Sequence, residues 1–161
     1  MCPTAQKTSA FTILEIVIVL SIIVLIAGSA TPMVASMVRA EQLKSPARAL
    51  EAMAITARTR AISEQRLYFI LLNANGFSLQ TSVPQAGTVE ISEFTLPDAV
   101  EFQVSSWPDN EWETPRNRIW YFPPGGLCEP IQTMFRRGDS YFSQTFGAVT
   151  GWERETTSMI R

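Results

Sequence analysis

The chain has no histidine, little charge and only two cysteines, and each shortage closes off a class of chemistry. Without histidine the commonest general base is missing. So are the usual Cys/His and Ser/His dyads and nearly every standard zinc site. Charged residues make up 17% of the chain and the net charge is −2, so bulk electrostatics give no grip on a nucleic acid. The carboxylates are dispersed. Their one cluster, Asp109, Glu111 and Glu113, lies in the polar, proline-broken stretch Trp107–Pro115, which reads as a solvated surface loop and not as a paired-acid site. No catalytic residue, metal ligand or cofactor is therefore nominated. Cys2 precedes an apolar run, whereas the cysteine of a lipoprotein signal follows one.

At 161 residues there is room for one modest domain and an anchor. The low charge is local, because Ile16–Val38 carries no charged side chain. A polar leader with a single lysine, Lys7, meets this apolar run abruptly at Ala10/Phe11. Three readings compete. A secretory signal would use Ile16–Ala27 as its apolar core and Gly28-Ser29-Ala30 as a cleavage site. It leaves Glu15 unexplained, since a carboxylate in the apolar layer costs ~2.5–3.5 kcal/mol. A plain anchor is long enough, because the run to Val38 spans the ~30 Å of hydrocarbon at ~1.5 Å per residue. It too leaves Glu15 without a purpose. Positive charge is also heavier after the span (Arg39, Lys44, Arg48) than before it, which taken alone favours the opposite orientation.

The third reading rests on Ala10-Phe11-Thr12-Ile13-Leu14-Glu15, which resembles the type IV prepilin cleavage motif, a small residue followed by Phe-Thr-Leu-Ile-Glu. Alanine stands where glycine is usual, and Ile13 and Leu14 are exchanged, a swap of similar volume. The resemblance implies cleavage between Ala10 and Phe11 by a prepilin peptidase, methylation of the new Phe11 amine, and a role for Glu15 in assembly. A buried carboxylate needs a buried cation, and the Phe11 ammonium of a neighbouring subunit would supply one and set the axial register. Removal of the leader would leave Cys128 as a single, buried, apolar cysteine. Gly28 and Pro32 weaken a helix by up to ~1 and ~3 kcal/mol. They either mark the end of a span or make the helix flexible there, as the family's proline at the corresponding place implies.

After Val38, Leu43, Ala47, Leu50, Ala54, Ala57 and Ala61 recur at spacings of three or four and form one helical face. Ser45-Pro46 suits a cap and first helical position, so a bend or restart is expected there. Arg58, Arg60 and Arg66 read as a solvated face. Beyond Arg66 the period becomes two. Strands are expected at 67–72, 77–81, 89–96, 100–105, 118–122, 131–135 and 140–146, with turns at Asn73–Gly76, Pro123–Gly126 and Arg137–Asp139. The expected architecture is α+β, a long N-terminal helix packed on an antiparallel β-sheet. Its parts are a cleaved leader (1–10), a transmembrane and assembly helix (11–38), an amphipathic helix (39–66) and a periplasmic β domain (67–161).

The helix 47–66 running into a strand, Tyr121-Phe-Pro-Pro-Gly125, and Gly147-Ala-Val-Thr-Gly151 look like the GspH/FimT family of minor pilins and pseudopilins. That resemblance implies a non-enzymatic, single-pass inner-membrane subunit with its C-terminal domain in the periplasm. Its partners would be other pilin or pseudopilin subunits, the prepilin peptidase and membrane lipid. The expected role is a minor pseudopilin of a type II secretion system. The alternative is a minor pilin of a type IV pilus, in some cases serving DNA uptake. A soluble periplasmic binding or hydrolytic protein is the third class. Arg136, Arg137, Arg154 and Arg161 would suit DNA, but Glu129, Asp139, Glu153 and Glu155 offset them, which favours secretion.

Overall fold

A computed structural model describes residues 12–83, 87–106, 111–148 and 153–159, and the side chains at 27–39, 83 and 153–155 lie outside the description. Helix α1 spans Ile13–Glu64. Eight strands follow: β1 Tyr68–Asn73, β2 Gly76–Val83, β3 Gly87–Thr95, β4 Glu101–Ser106, β5 Arg118–Phe122, β6 Ile131–Arg137, β7 Ser140–Phe146 and β8 Glu153–Met159. The chain divides into two units, Met1–Met37 and Val38–Arg161, which are described separately.

In the second unit the helical stripe is the floor of the core. Leu43, Ala47, Leu50, Ala54, Ala57 and Ala61 are each at most 1% exposed. Small side chains at four of these places let the helix backbone approach its neighbours closely, which a bulkier stripe would prevent. The bend or restart expected at Ser45-Pro46 is not a restart, since the backbone is helical through both residues. Pro46 cannot donate to the Gln42 carbonyl. The turn is kept helical by burial instead, with Leu43, Pro46, Ala47 and Leu50 all inside. The helix ends in a Schellman pattern: Gln65 takes a left-handed φ of 52°, and the Arg66 N–H donates to the Ala61 carbonyl at 3.3 Å. The Gln65 side chain donates to the Ile62 carbonyl at 2.8 Å, which compensates for the absence of glycine.

Where one sheet was expected there are two, each four-stranded, in the orders β3-β2-β1-β5 and β4-β6-β7-β8, with every pairing antiparallel. The hairpin β1–β2 turns through Ala74-Asn75. Gly76 is demanded there by close approach, because a Cβ would overlap the Phe94 carbonyl oxygen of β3. Aromatic rings join the two sheets. Phe77 of β2 lies 6.0 Å from Phe102 of β4, Phe102 stacks on Phe135 of β6 at 4.9 Å, and Trp120 of β5 lies 5.1 Å from Phe146 of β7. All of them belong to one apolar cluster with the helical stripe. Strand β8 had no expectation behind it. Its sequence, Glu-Arg-Glu-Thr-Thr-Ser-Met, offers no apolar alternation, and it is placed by pairing with β7 alone.

Candidate functional site

Among the residues of the first unit whose side chains are described, 12–26, none is buried. Thr12 caps α1: its Oγ1 accepts the Glu15 N–H at 3.3 Å, and its carbonyl accepts the N–H groups of Glu15 and Ile16 at 3.1 and 3.3 Å. Thr12-Ile13-Leu14-Glu15 thus has the spacing of a capping box, a signal the sequence reading passed over. Glu15 also gains from its place in the first turn, where the partial positive charge of the helix terminus favours a carboxylate. From there to Ile26 the helix is apolar on every side, with the large side chains 48–83% exposed. The one polar interruption, Ser21, spends its hydroxyl on the Val17 carbonyl at 2.7 Å and so adds no unpaired donor. Among the described residues no helix is long and apolar enough to cross a membrane; the described side chains of this stretch stop at Ile26.

The expected site residues are not all in view. Ala10 and Phe11 lie outside the described residues. At Gly28 and Pro32 the backbone is helical, and their side chains are outside the description. Glu15 is exposed in the first turn. Asp109 is outside the description, and Glu111 is exposed. Glu113 departs from the expected loop. Its backbone forms a bridge to Val104, with N–H···O bonds of 2.9 and 3.0 Å, and its carboxylate meets Arg118 Nη1 at 3.0 Å.

The Arg118 guanidinium meets three side chains of the second unit. Besides Glu113, Nη2 donates to Ser106 Oγ at 2.6 Å and to Glu129 Oε1 at 3.0 Å. These contacts tie β5 of one sheet to the end of β4 in the other. Sequence reading placed Arg118 only as the first residue of a strand. Nothing in its local pattern marks partners that come from three separate segments.

Of the arginines read as a solvated face, Arg58 is instead a brace. Its Nε donates to the Gly126 carbonyl at 3.1 Å. Gly126 has a φ of 76°, and a Cβ there would press on Ile62 Cδ1 at 3.0 Å. Arg60 and Arg66 are exposed as expected. Arg136 donates to the Gly138 carbonyl in its own turn at 2.9 Å. Cys128 is buried, its Sγ 3.5 and 3.6 Å from the Ala148 and Gly147 carbonyls. Tyr68 is buried except at its hydroxyl, which donates to Glu64 Oε2 at 2.7 Å. Burial, then the hydrogen bond and charge of Glu64, push its phenol above the ordinary value, and Arg60 pulls it back in part.

No family model matches the sequence, and no curated protein matches it. Solved structures do match. The chain is similar to the minor pseudopilin EpsH from the type II secretion system of Vibrio cholerae (TM-score 0.56, 11% identity, 74% of this chain and 94% of that one). A second structure of that protein gives a TM-score of 0.54 at 9% identity, with 74% of this chain and 97% of that chain covered. The type IV minor pilin FimU of Pseudomonas aeruginosa gives 0.51 at 14% identity, over 76% and 92%. At these identities the likeness is one of fold. A helix whose small-residue face lines the core of antiparallel sheets, in an arrangement shared with a minor pseudopilin and a minor pilin, gives this chain the type IV pilin-like fold.

Proposed function

We propose that the chain is a minor pseudopilin of a type II secretion system, a non-enzymatic subunit of the periplasmic filament that helps export folded proteins. The observation that carries the proposal is the helix from Ile13 to Ile26. It is apolar on all sides and begins at a threonine cap with a carboxylate three residues on, in a chain whose globular unit has a pilin-like fold. Cleavage between Ala10 and Phe11 and methylation of Phe11 would leave a free amine one residue before the cap. Glu15 of a neighbouring subunit would then neutralise it once both are out of water. Gly28 and Pro32 would let the anchor loosen as subunits leave the inner membrane. The globular unit would remain in the periplasm and act by contact with other subunits.

The alternative, a minor pilin of a type IV pilus, shares the anchor and the fold. Support for secretion over DNA binding comes from the charge balance of the C-terminal third, where Glu129, Asp139, Glu153 and Glu155 offset Arg136, Arg137, Arg154 and Arg161. Arg58 and Arg118 are also engaged in internal contacts, while Arg60 and Arg66 remain exposed. Deleting the gene should abolish export by the type II system and leave pilus-dependent functions intact. The reverse pattern, or DNA binding by the chain that weakens steeply with salt, would favour the alternative.

A further inference from the structure

On the core side of the sheet β4-β6-β7-β8, one rung of cross-strand partners differs from its neighbours. The flanking rungs are apolar across the inner strands: Phe102, Phe135 and Phe142 stand opposite one another on β4, β6 and β7, and Ile131 stands opposite Phe146. Between them runs Val104–Thr133–Gln144–Thr156, polar at three of its four places. Thr133 is 0% exposed and Gln144 1%, whereas Thr156 on the edge strand is exposed, so the rung leads from the core to solvent. Gln144 has a partner. Its Nε2 donates to the Ala47 carbonyl of α1 at 3.2 Å, which ties the helix to β7. Thr133 has none: its Oγ1 is buried and, among the described residues, makes no hydrogen bond. A buried hydroxyl in that condition keeps the whole cost of leaving water and recovers nothing.

We infer that Thr133 and Gln144 hold a buried water molecule between α1 and this sheet. The two residues are direct cross-strand partners on one face, so a single water can reach both side chains. An amide nitrogen carries two hydrogens and Gln144 gives one to Ala47, so the second is available to the water oxygen. The water in turn bonds Thr133 Oγ1, which can donate or accept. Internal waters sit at such places, where buried polar groups lack partners in the protein itself. A direct bond from Gln144 to Thr133 is the obvious rival, and the pull of the Ala47 carbonyl on the Gln144 nitrogen excludes it here. Thr156 marks the side from which the site exchanges with solvent. The water thus extends the tie between α1 and β7 to the neighbouring strand, β6.

An unpaired hydroxyl and a hydrated one respond oppositely to Thr133→Val, which removes the oxygen and keeps the shape. The change relieves a pure cost if the hydroxyl is unpaired, so the fold gains stability. If the hydroxyl binds water, the change leaves that water one partner short, and the fold loses stability. Urea unfolding of the detergent-solubilised full chain reads the sign, and water-selective NOE spectra of the Gln144 side-chain amide read the water itself. The inference expects a lower urea midpoint for Thr133→Val than for the wild type. It also expects a direct water NOE to the Gln144 amide hydrogens in the wild type, kept in Thr133→Ser and lost in Thr133→Val. A raised or unchanged midpoint overturns it. So does a wild type without the NOE, or an NOE that survives in Thr133→Val.

Discussion

Replacing Arg118 with methionine keeps most of the apolar stem and deletes the three contacts of the guanidinium, and the structure ranks what each is worth. The two carboxylates sit on side chains that are 65% (Glu113) and 50% (Glu129) exposed, against 18% for Arg118. Water and salt screen such pairs, so each contributes ~0–1 kcal/mol. The bond to Ser106 Oγ is short, 2.6 Å, and part-buried. A charge-assisted bond in that setting is worth ~1.5–3 kcal/mol. The loss for Arg118→Met is therefore about 2 kcal/mol, mostly from Ser106, and lowers the melting point by about 8 °C at ~4 °C per kcal/mol for a unit of this size. Urea unfolding of the detergent-solubilised chain, followed by tryptophan fluorescence, measures it. Trp120 is a built-in reporter, being the second residue after Arg118 and almost wholly buried. At 1 M salt the Debye length falls to ~3 Å, and most of the loss should persist. The reasoning is refuted if Ser106→Ala is neutral while Glu113→Gln with Glu129→Gln reproduces the full effect, or if high salt erases it.

Three further outcomes are expected. Ala54 is fully buried, so Ala54→Leu should cost ~1–3 kcal/mol by overpacking, while the same change at exposed Ala52 should be near neutral in the same urea titration. Because the folded-state phenol of Tyr68 titrates above its ordinary 10.0, the stability it contributes is fully present below about pH 10 and is lost as pH rises through the folded value. Tyr68→Phe should flatten the decline in urea midpoint above pH 10; equal slopes would count against the shift. Glu15→Gln separates capping from charge, since glutamine also completes a capping box. Filament assembly should fail in both Glu15→Gln and Glu15→Ala, with both chains still membrane-bound, and normal assembly by the glutamine variant would leave only the cap.

The helical stripe was legible because its period is local: Leu43 to Ala61 repeat every three or four residues, and every one of them is buried. Strands β5 and β7 were legible to the residue, because turn residues bound both. The division into two sheets was not. It depends on which strands pair across long separations, such as β1 with β5 and β4 with β6, and alternation within a strand says nothing of its neighbour. β8 was hidden because a polar edge strand lacks the apolar signal that marks other strands. The helical continuity at Pro46 was hidden for a different reason: the propensity penalty is local, while the burial that overrides it is tertiary. At the site, the motif gave Phe11 and Glu15 roles and Thr12 none, although the spacing that makes Thr12 a cap lies within the same six residues.

The central claim is that residues 1–10 are a leader and that the working chain is an anchored, assembling subunit beginning with phenylalanine. Mass spectrometry of the amino terminus of the membrane-extracted protein tests it most directly. The account predicts a chain that starts at Phe11 with a methylated amine. A start at Met1 would leave only a plain anchor, and a start at Thr31 would make the apolar helix a discarded signal; either would contradict the account.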